Sequence, residues 1–419
     1  MLATTAVAFS SVSKRGAFMM TEEQAEIAFV DTSVDNWEVV AGTSGGGRLV
    51  FERTTAGGSK VVLSGDKQNV MQSTGEYIVR GTSDGLGKMI LKIDSKQQLP
   101  QSNNVIRVEN GGEFVLNVSG ECANQCRILV SKGGLFRQKG TRPFKSGVQQ
   151  IVADGGVLQF NHENTEDVYL YDTVTLKNGA IMIGSDKRSF VQLNGKPGNR
   201  ILVCGDTPST NNAGVSLMSQ RDMVCTNVFH VLKTGGGAYV ADLVQNGDIL
   251  EYQGSSPYAK GHFFKSGDGT MLLNGAFTST NEAIIAGGKI VFGESASWTN
   301  TNTKGSMAAA PIALEGTELE VHPGKKMRLG RLSRVEGESK LVVGANASLE
   351  FQNSSACASG WTEGSRLDIT VGDGAYGRFG DGATGLTEGQ RSSLRLNGKA
   401  ATLNSDGVVC GIGFFVIIR

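Results

Sequence analysis

The stretch Val105-Ile-Arg-Val-Glu-Asn-Gly-Gly-Glu-Phe-Val-Leu116 decides the fold, because the chain returns to its pattern three more times. The later copies begin at Arg127, Gln149 and Thr173, so the four starts lie 22, 22 and 24 residues apart. Each copy is a short run of β-branched or apolar residues, a glycine-centred turn and a second short run. We interpret each copy as one coil that buries its apolar side by stacking on the coils above and below it.

The second half of the chain shows the same pattern at a longer interval. Ile285, Leu314, Val343 and Val371 occupy equivalent positions at steps of 29, 29 and 28 residues. Because extra residues in a stacked coil go into loops on one side, the pattern predicts longer loops in this half. Loops on a rigid scaffold are where we expect a binding function.

The composition favours an ordered all-β protein. The 419 residues include 58 Gly and only 7 Pro, and glycine at each turn supplies a positive φ without steric cost. Collagen needs glycine at every third position with much proline, and a disordered chain needs less apolar content, so both classes are excluded. We predict one elongated domain of stacked 22–29-residue coils over residues 25–390, after a tail or remnant of an export signal at 1–24.

The charge pattern argues against several partners. The 40 basic and 40 acidic residues cancel, and no basic stripe is evident, so nucleic acid is not an expected partner. No stretch of about 18 apolar residues is present, so no transmembrane segment is predicted. The histidines are isolated from one another, and Cys122 and Cys126 have no second Cys/His pair nearby. We therefore predict neither a metal site nor a cofactor.

The six cysteines leave two interpretations open. Cys204 and Cys225 are 21 residues apart, close to one coil, so they could lie on stacked coils and form a disulfide. Cys122 and Cys126 could close a loop in the same way. Buried free cysteine, however, serves equally well as a small apolar residue in a β core.

Residues 265–293 carry a family pattern. Lys265-Ser-Gly-Asp-Gly-Thr-Met-Leu-Leu-Asn-Gly275 and then Glu282-Ala-Ile-Ile-Ala-Gly-Gly-Lys-Ile-Val-Phe-Gly293 resemble the autotransporter-associated β-strand repeat. That repeat reads Lys-x-Gly-x-Gly-Thr-Leu-x-Leu-x-Gly and then Thr-x-Ile-x-x-Gly-x-Leu, from which Met271 and Ala283 depart. The matching residues are Lys265, Gly267, Gly269, Thr270, Leu273, Gly275, Ile285, Gly288 and Ile290. The resemblance implies a right-handed parallel β-helix (β-solenoid) in an exported or surface-displayed, passenger-like bacterial protein.

The last residues differ from the family pattern. Complete family members end in a translocator of alternating membrane strands, which residues 391–419 do not resemble. Asn397-Gly398 predicts a hairpin turn. We interpret 391–419 as a C-terminal capping hairpin and strand, because an open end of a β-helix would expose unpaired strand edges. A short membrane or sorting anchor is the alternative.

One acidic group stands out as a candidate ligand-binding site. Glu163, Glu166, Asp167 and Asp172 lie in the longer turn between two coils. β-Helix lyases and hydrolases place carboxylates on one outer face of consecutive coils, because Ca²⁺ binding and proton transfer need them close together. A solvated loop is the simpler explanation of this group, and no catalytic residue is assigned.

These features favour a non-enzymatic, secreted or cell-surface β-helix repeat protein with an adhesin-like or structural role. Its expected partners are extracellular glycans or surface components, bound through loops on the coils. The main alternative is a carbohydrate-active β-helix enzyme, either a polysaccharide lyase or a glycoside hydrolase. A tail-fibre-like trimer is a third class.

Overall fold

This computed structural model describes residues 6–9, 16–17, 26–31, 37–41, 47–63, 75–94, 104–118, 126–139, 150–160, 168–170, 173–184, 190–193, 200–221, 226–237, 240–251, 258–299 and 310–412. The chain divides into two compact units, an N-terminal unit, Met1–Val215, and a C-terminal unit, Ser216–Arg419. In both units, strands distant in sequence pair side by side and in parallel. The predicted all-β parallel β-helix is therefore confirmed.

Each coil of the N-terminal unit gives one strand to a first sheet and one to a second sheet. The first sheet contains Ala6–Phe9, Glu26–Asp31, Gly47–Arg53, Gly75–Arg80, Val105–Val108, Arg127–Ser131, Gln150–Asp154, Thr173–Lys177 and Arg200–Cys204. The second contains Gly16–Ala17, Trp37–Ala41, Gly57–Leu63, Gly87–Ile93, Gly112–Leu116, Leu135–Gln138, Val157–Phe160, Ile181–Gly184 and Ser209–Asn211. Val168–Leu170 and Phe190–Leu193 pair in a third sheet.

The C-terminal unit repeats this plan with a third strand in most coils. Its first sheet contains Thr226–Val231, His262–Ser266, Ala283–Ala286, Ile312–Glu315 and the end of Lys326–Glu336. Its second contains Leu243–Gln245, Thr270–Leu273, Lys289–Phe292, Glu318–Val321, Glu338–Val343, Arg366–Val371 and Leu394–Leu396. The third strands are Gly214–Arg221, Ile249–Glu251, Ala276–Thr278, Ser297–Thr299, the start of Lys326–Glu336, Ser348–Gln352 and Tyr376–Phe379. Tyr258–Lys260 pairs antiparallel with Gly214–Arg221.

Side chains alternate between the interior and the outer face along each strand. In Arg127–Ser131 the side chains of Ile128 and Val130 are buried, whereas the residues between and beside them are not. Stacking then places like residues above one another, and the rings of Phe114 and Phe136 lie with centroids 5.8 Å apart. The apolar side that one coil cannot bury alone is buried in this way by its neighbours.

The glycine turns behave as the sequence predicts. Gly111, Gly133, Gly155 and Gly179, at the same position of the four copies, have φ of 67°, 79°, 70° and 81°. The next residue must also be small, because a Cβ on Gly134 would lie 2.5 Å from the carbonyl oxygen of Val108 in the preceding coil. These turns thus need glycine for its positive φ and for close approach between coils.

The predicted register of the third copy is wrong by one residue in its first strand. Gln150, not Gln149, pairs with both Arg127 and Thr173. Val157 nevertheless pairs with Leu135 as predicted. The turn of the third copy is therefore one residue shorter than the turns of its neighbours, which a comparison of turn glycines alone does not detect.

The predicted register of the C-terminal half is also partly wrong. Ile285 pairs with Leu314 as predicted. The next partner of Leu314, however, is Val335 and not the predicted Val343. Val343 and Val371 pair with each other in the second sheet. The cause is the long strand Lys326–Glu336, which passes from the third position into the first sheet without a separating turn and so shortens this coil.

An antiparallel hairpin follows the last coil. Leu394–Leu396 continues the second sheet and turns through Asn397 and Gly398, with φ of 50° and 77°, into Lys399–Leu403. Val409–Gly411 pairs with that strand. The short helix Glu388–Ser392 precedes the hairpin and begins with a capping box from Thr387. The hairpin turn has the positive φ at both central residues that a type I′ turn requires.

Candidate functional site

The acidic group predicted from the sequence lies outside the described residues. This holds for Glu163, Glu166, Asp167 and Asp172 alike. The strand that follows them is described, and there the ammonium group of Lys177 donates to Asp154 at 3.2 Å. This hydrogen bond is the main cause that raises the pKa of Lys177 above its ordinary value.

A buried lysine forms the centre of the family pattern. Lys265 is fully buried and points into the coil, where its in-register neighbours are Phe229 and Ile285. Its ammonium group donates to the carbonyl oxygens of Gly267, Gly269 and Gly287 at 2.9, 2.7 and 2.8 Å. Burial lowers its pKa from 10.5 to about 8, against the opposing effect of nearby carboxylates. All three protons of the cation thus bind turn carbonyls, two of which have a second donor: Gly269 also accepts from the backbone N–H of Lys289, and Gly287 from the hydroxyl of Thr317.

A buried carboxylate holds the other side of this corner. Asp242 is 3% exposed, and its Oδ1 accepts from the backbone N–H and the hydroxyl of Thr234 at 2.6 and 2.7 Å. Its Oδ2 accepts from the backbone N–H of Thr270 at 2.6 Å, and its charge favours the protonated form of Lys265. We call Lys265 and Asp242, with the turn at 267–270, the lysine corner.

The glycines of the pattern have a steric role at the lysine corner. A Cβ on Gly288 would lie 2.4 Å from Nζ of Lys265 and 2.4 Å from the carbonyl oxygen of Gly269. A Cβ on Gly269 would lie 2.6 Å from the backbone of Leu232. The corner therefore has room for the ammonium group of Lys265 but not for a Cβ at Gly269 or Gly288. This explains why the family pattern has glycine at both positions.

The outer face of the second sheet in the C-terminal unit carries a row of alternating charge. Lys289, Glu318, Lys340, Asp368 and Arg395 are successive in-register partners. Lys289 contacts Glu318 at 2.8 Å, and carboxylates outweigh the effect of burial to raise its pKa. Partly exposed pairs of this kind contribute about 0.2–1 kcal/mol each. We call these five residues the charge ladder.

Two glutamates follow the arrangement that carbohydrate-active β-helices use. Glu315 and Glu336 are in-register partners on consecutive coils of the first sheet. Glu315 forms an ion pair with Arg334. Across the described ranges, no group of three or more His, Cys, Asp or Glu side chains is placed to hold a metal ion. The sequence analysis missed this pair, because its alignment did not bring the two strands into register.

A basic strand lies on the third-strand face of the C-terminal unit. Lys326, Arg328 and Arg331 are exposed, while Met327 and Leu329 are buried. This basic strand was not predicted from the sequence, because its cations alternate with apolar residues and the net charge of the chain is zero. The signal was present in Lys326-Met-Arg-Leu-Gly-Arg331, where basic and apolar residues alternate. We call Lys326, Arg328 and Arg331 the basic strand.

The basic strand is fixed by a buried carboxylate. Glu350, 8% exposed, accepts from Nε of Arg328 at 3.1 Å, from Nη2 of Arg378 at 3.0 Å and from the hydroxyl of Tyr376 at 2.8 Å. Arg378 also contacts Asp381 at 3.4 Å. The side chain of Arg328 remains 76% exposed despite this contact. One buried anion therefore orients two guanidinium groups, one on each of the strands that flank its own.

The N-terminal unit presents a different outer face. Leu135, Val157 and Ile181 are in-register partners that point away from the interior of the second sheet. Ile181 is 37% exposed. Beside them Arg137 donates to Gln159 at 3.2 Å and contacts Glu113 at 3.2 Å. This part of the face is an apolar row beside one compensated charge.

The predicted disulfides involve Cys122 and Cys225, which lie outside the described residues. Cys126 is buried, which raises the pKa of its thiol to about 12, and Cys204 is half-buried. Among the helices within the described ranges, none has the length and apolar character needed to cross a membrane. No family model, curated protein or solved structure matches the chain.

Proposed function

We propose that this chain is a non-enzymatic β-helix repeat protein of the autotransporter-passenger type, exported to the cell surface or beyond, with an adhesin-like or structural role. The lysine corner is the observation that carries the proposal. The residues that match the family pattern form one unit there, with Lys265 bound to three turn carbonyls and Gly269 and Gly288 leaving it room. The pattern is thus used as a structural repeat of a β-helix.

The outward carboxylates of the C-terminal unit support a structural role for its charges. Glu318 contacts Lys289, Glu315 contacts Arg334, and neither carboxylate stands apart from a cation. A catalytic acid needs a raised pKa, which adjacent cations oppose. The charges are therefore better suited to holding coils together than to proton transfer.

The location is tested by labelling intact cells that produce the protein naturally. We expect an antibody against the C-terminal unit to label intact cells or the culture medium, while an antibody against a cytoplasmic enzyme labels permeabilised cells alone. Labelling confined to permeabilised cells would exclude export. Purified full-length chain should also bind at least one member of a panel of glycans and extracellular matrix proteins, and no binding across that panel would remove the adhesin role.

A carbohydrate-active enzyme is the second candidate, and the Glu315–Glu336 pair favours it. In-register residues on neighbouring strands lie about 4.8 Å apart, and retaining glycosidases hold their carboxyl groups about 5–5.5 Å apart. The proposed function predicts no release of reducing or unsaturated sugars from a panel of extracellular polysaccharides. Release that Glu315→Gln and Glu336→Gln each abolish would instead establish the enzyme.

A further inference from the structure

The basic strand is a surface that the repeat pattern does not explain. We propose that it binds an acidic polysaccharide, whose sulfate or carboxylate groups contact Lys326, Arg328 and Arg331. The proposal rests on the proposed function, since it names the class of glycan that an extracellular β-helix would bind.

The direction of the three cations is set by a β-bulge. Leu329 pairs with Phe351, both buried, and Arg331 pairs with Gln352, so Gly330 is an extra residue between two paired positions. In a regular strand without a bulge, Gly330 would point outward and position 331 would point toward the interior. A bulge re-aims side chains in this way, and here it leaves all three cations on the outer face.

Arg328 is held in place before any ligand arrives. Its Nε donates to Glu350, which also receives Arg378 and Tyr376, and Glu350 is itself nearly buried. The terminal amino groups of Arg328 have no acceptor within the described part of the chain. A guanidinium fixed by one nitrogen loses less conformational entropy when the other two bind an anion.

The surface has an excess of positive charge on a chain whose net charge is zero. Lys326, Arg328 and Arg331 are exposed, and within the described residues the carboxylate paired with this group is the buried Glu350, which it shares with Arg378. Outward side chains two residues apart on a strand lie about 7 Å apart. A flexible linear polyanion can contact such a row with successive charged groups.

The same surface is poorly suited to nucleic acid. Single-stranded nucleic acid binding combines a basic groove with aromatic rings on which bases stack. The residues between and beside the three cations are Met327, Leu329 and Gly330, all buried. The nearby Tyr376 has its hydroxyl bound to Glu350. Acidic polysaccharide is therefore the polyanion that this surface fits best.

The test measures binding of the full-length chain to heparin, polygalacturonate, neutral dextran and duplex DNA. The variant Lys326→Gln/Arg328→Gln/Arg331→Gln removes the basic strand. The control Lys88→Gln/Arg127→Gln/Arg200→Gln makes the same charge change at three exposed positions of the N-terminal unit. We expect wild type and control to bind heparin or polygalacturonate within about twofold of each other, and the basic-strand variant to bind about tenfold or more weakly with a shallower salt dependence.

Several outcomes would overturn the proposal. The first is that wild type binds neither acidic polysaccharide, and the second is that both triple variants lose the same polysaccharide affinity. The third is that DNA binds as tightly as polysaccharide, which would assign a general polyanion or nucleic-acid surface. Circular dichroism of both variants checks that they fold. Surface labelling does not depend on these cations, so failure here leaves the cellular location as a separate result.

Discussion

The two units hold their coils together by different means. In the N-terminal unit the corner between the first and second sheets is a glycine turn, as at Gly133 and Gly155, with both residues at positive φ. In the C-terminal unit one such corner contains the buried cation of Lys265 and the buried carboxylate of Asp242. Both kinds of corner use glycine at positive φ, as at Gly267 and Gly288, and the lysine corner adds buried charged side chains to it.

The outer faces of the second sheet also differ between the two units in their content of charge. The second sheet of the N-terminal unit presents Leu135, Val157 and Ile181, while the same sheet of the C-terminal unit presents the charge ladder. Backbone geometry and apolar contacts depend little on pH or salt, whereas ion pairs depend on both. The glycine turns at 133 and 155 should therefore respond little to pH and salt, whereas the lysine corner and the charge ladder should respond to both.

The largest effect is expected from Lys265→Met. The substitution keeps an unbranched side chain but removes the buried ammonium donor that Gly267, Gly269 and Gly287 share, and it removes the positive charge near Asp242. Breaking a buried charged contact in this way costs about 3–5 kcal/mol. Urea unfolding, followed by the fluorescence of buried Trp298 and by hydrogen exchange of peptides from 258–299, measures it.

Ile285→Met is the control for Lys265→Met, because Ile285 is the in-register neighbour in the same interior row. A volume-conserving apolar exchange costs less than about 1.5 kcal/mol. If both variants lose the same stability, the lysine corner is ordinary packing and the contrast between the units disappears.

The second effect is a dependence of stability on pH. The pKa of Lys265 is lowered from 10.5 to about 8 in the folded chain. Between these values the unfolded chain keeps a proton that the folded chain has released, so this group makes stability rise with pH in that window. The rise is about 3 kcal/mol at most, since each unit corresponds to about 1.4 kcal/mol. Below pH 8 the group gives no pH dependence.

Lys265→Met removes this contribution, so the informative quantity is the difference in free energy of unfolding between wild type and variant. That difference should grow as pH rises from 8 to 10. A constant difference across this range would mean that Lys265 has the same pKa in the folded and unfolded chains, so that burial does not lower it.

The third effect concerns the glycine turns. In Gly134→Ala the new methyl would lie 2.5 Å from the carbonyl oxygen of Val108 in the preceding coil. Overpacking of this kind costs about 1–3 kcal/mol, and it should show in hydrogen exchange of 126–139. Gly58→Ala is the control, since a Cβ there meets nothing within 4 Å. A loss of stability at Gly58 equal to that at Gly134 would show that glycine is not needed for close approach.

These glycines were the most predictable part of the molecule. The predicted positions of Gly111, Gly133, Gly155 and Gly179 have the predicted positive φ, because a turn fixed by backbone conformation favours one residue type at a nearly constant spacing. Strand register was less predictable. Val343 was assigned to the row of Leu314 although it lies in another sheet, since apolar strands on either side of a turn look alike.

The candidate surfaces were predictable only in part. The lysine and glycines of the family pattern are in the sequence, but the partners of Lys265 are backbone carbonyls, which leave no trace in side-chain identity. Arg328 and Arg378 are brought together by Glu350, and the three are separated by 22 and 28 residues along the chain. Such contacts depend on which residues of neighbouring strands pair. Because the predicted strand register of the C-terminal half was partly wrong, these contacts could not be predicted.

The smallest effect is expected at the charge ladder. Glu318→Lys would place three lysines in register, because the neighbours of Glu318 are Lys289 and Lys340. Like charges on adjacent strands are destabilising, and with the lost ion pair we expect about 1 kcal/mol at low salt and less at high salt. Val157→Lys is the matched change on the N-terminal face, where Leu135 and Ile181 carry no charge. Its effect should not depend on salt. If salt relieves both variants equally, charge does not distinguish the two faces, and the difference between the units is confined to the lysine corner.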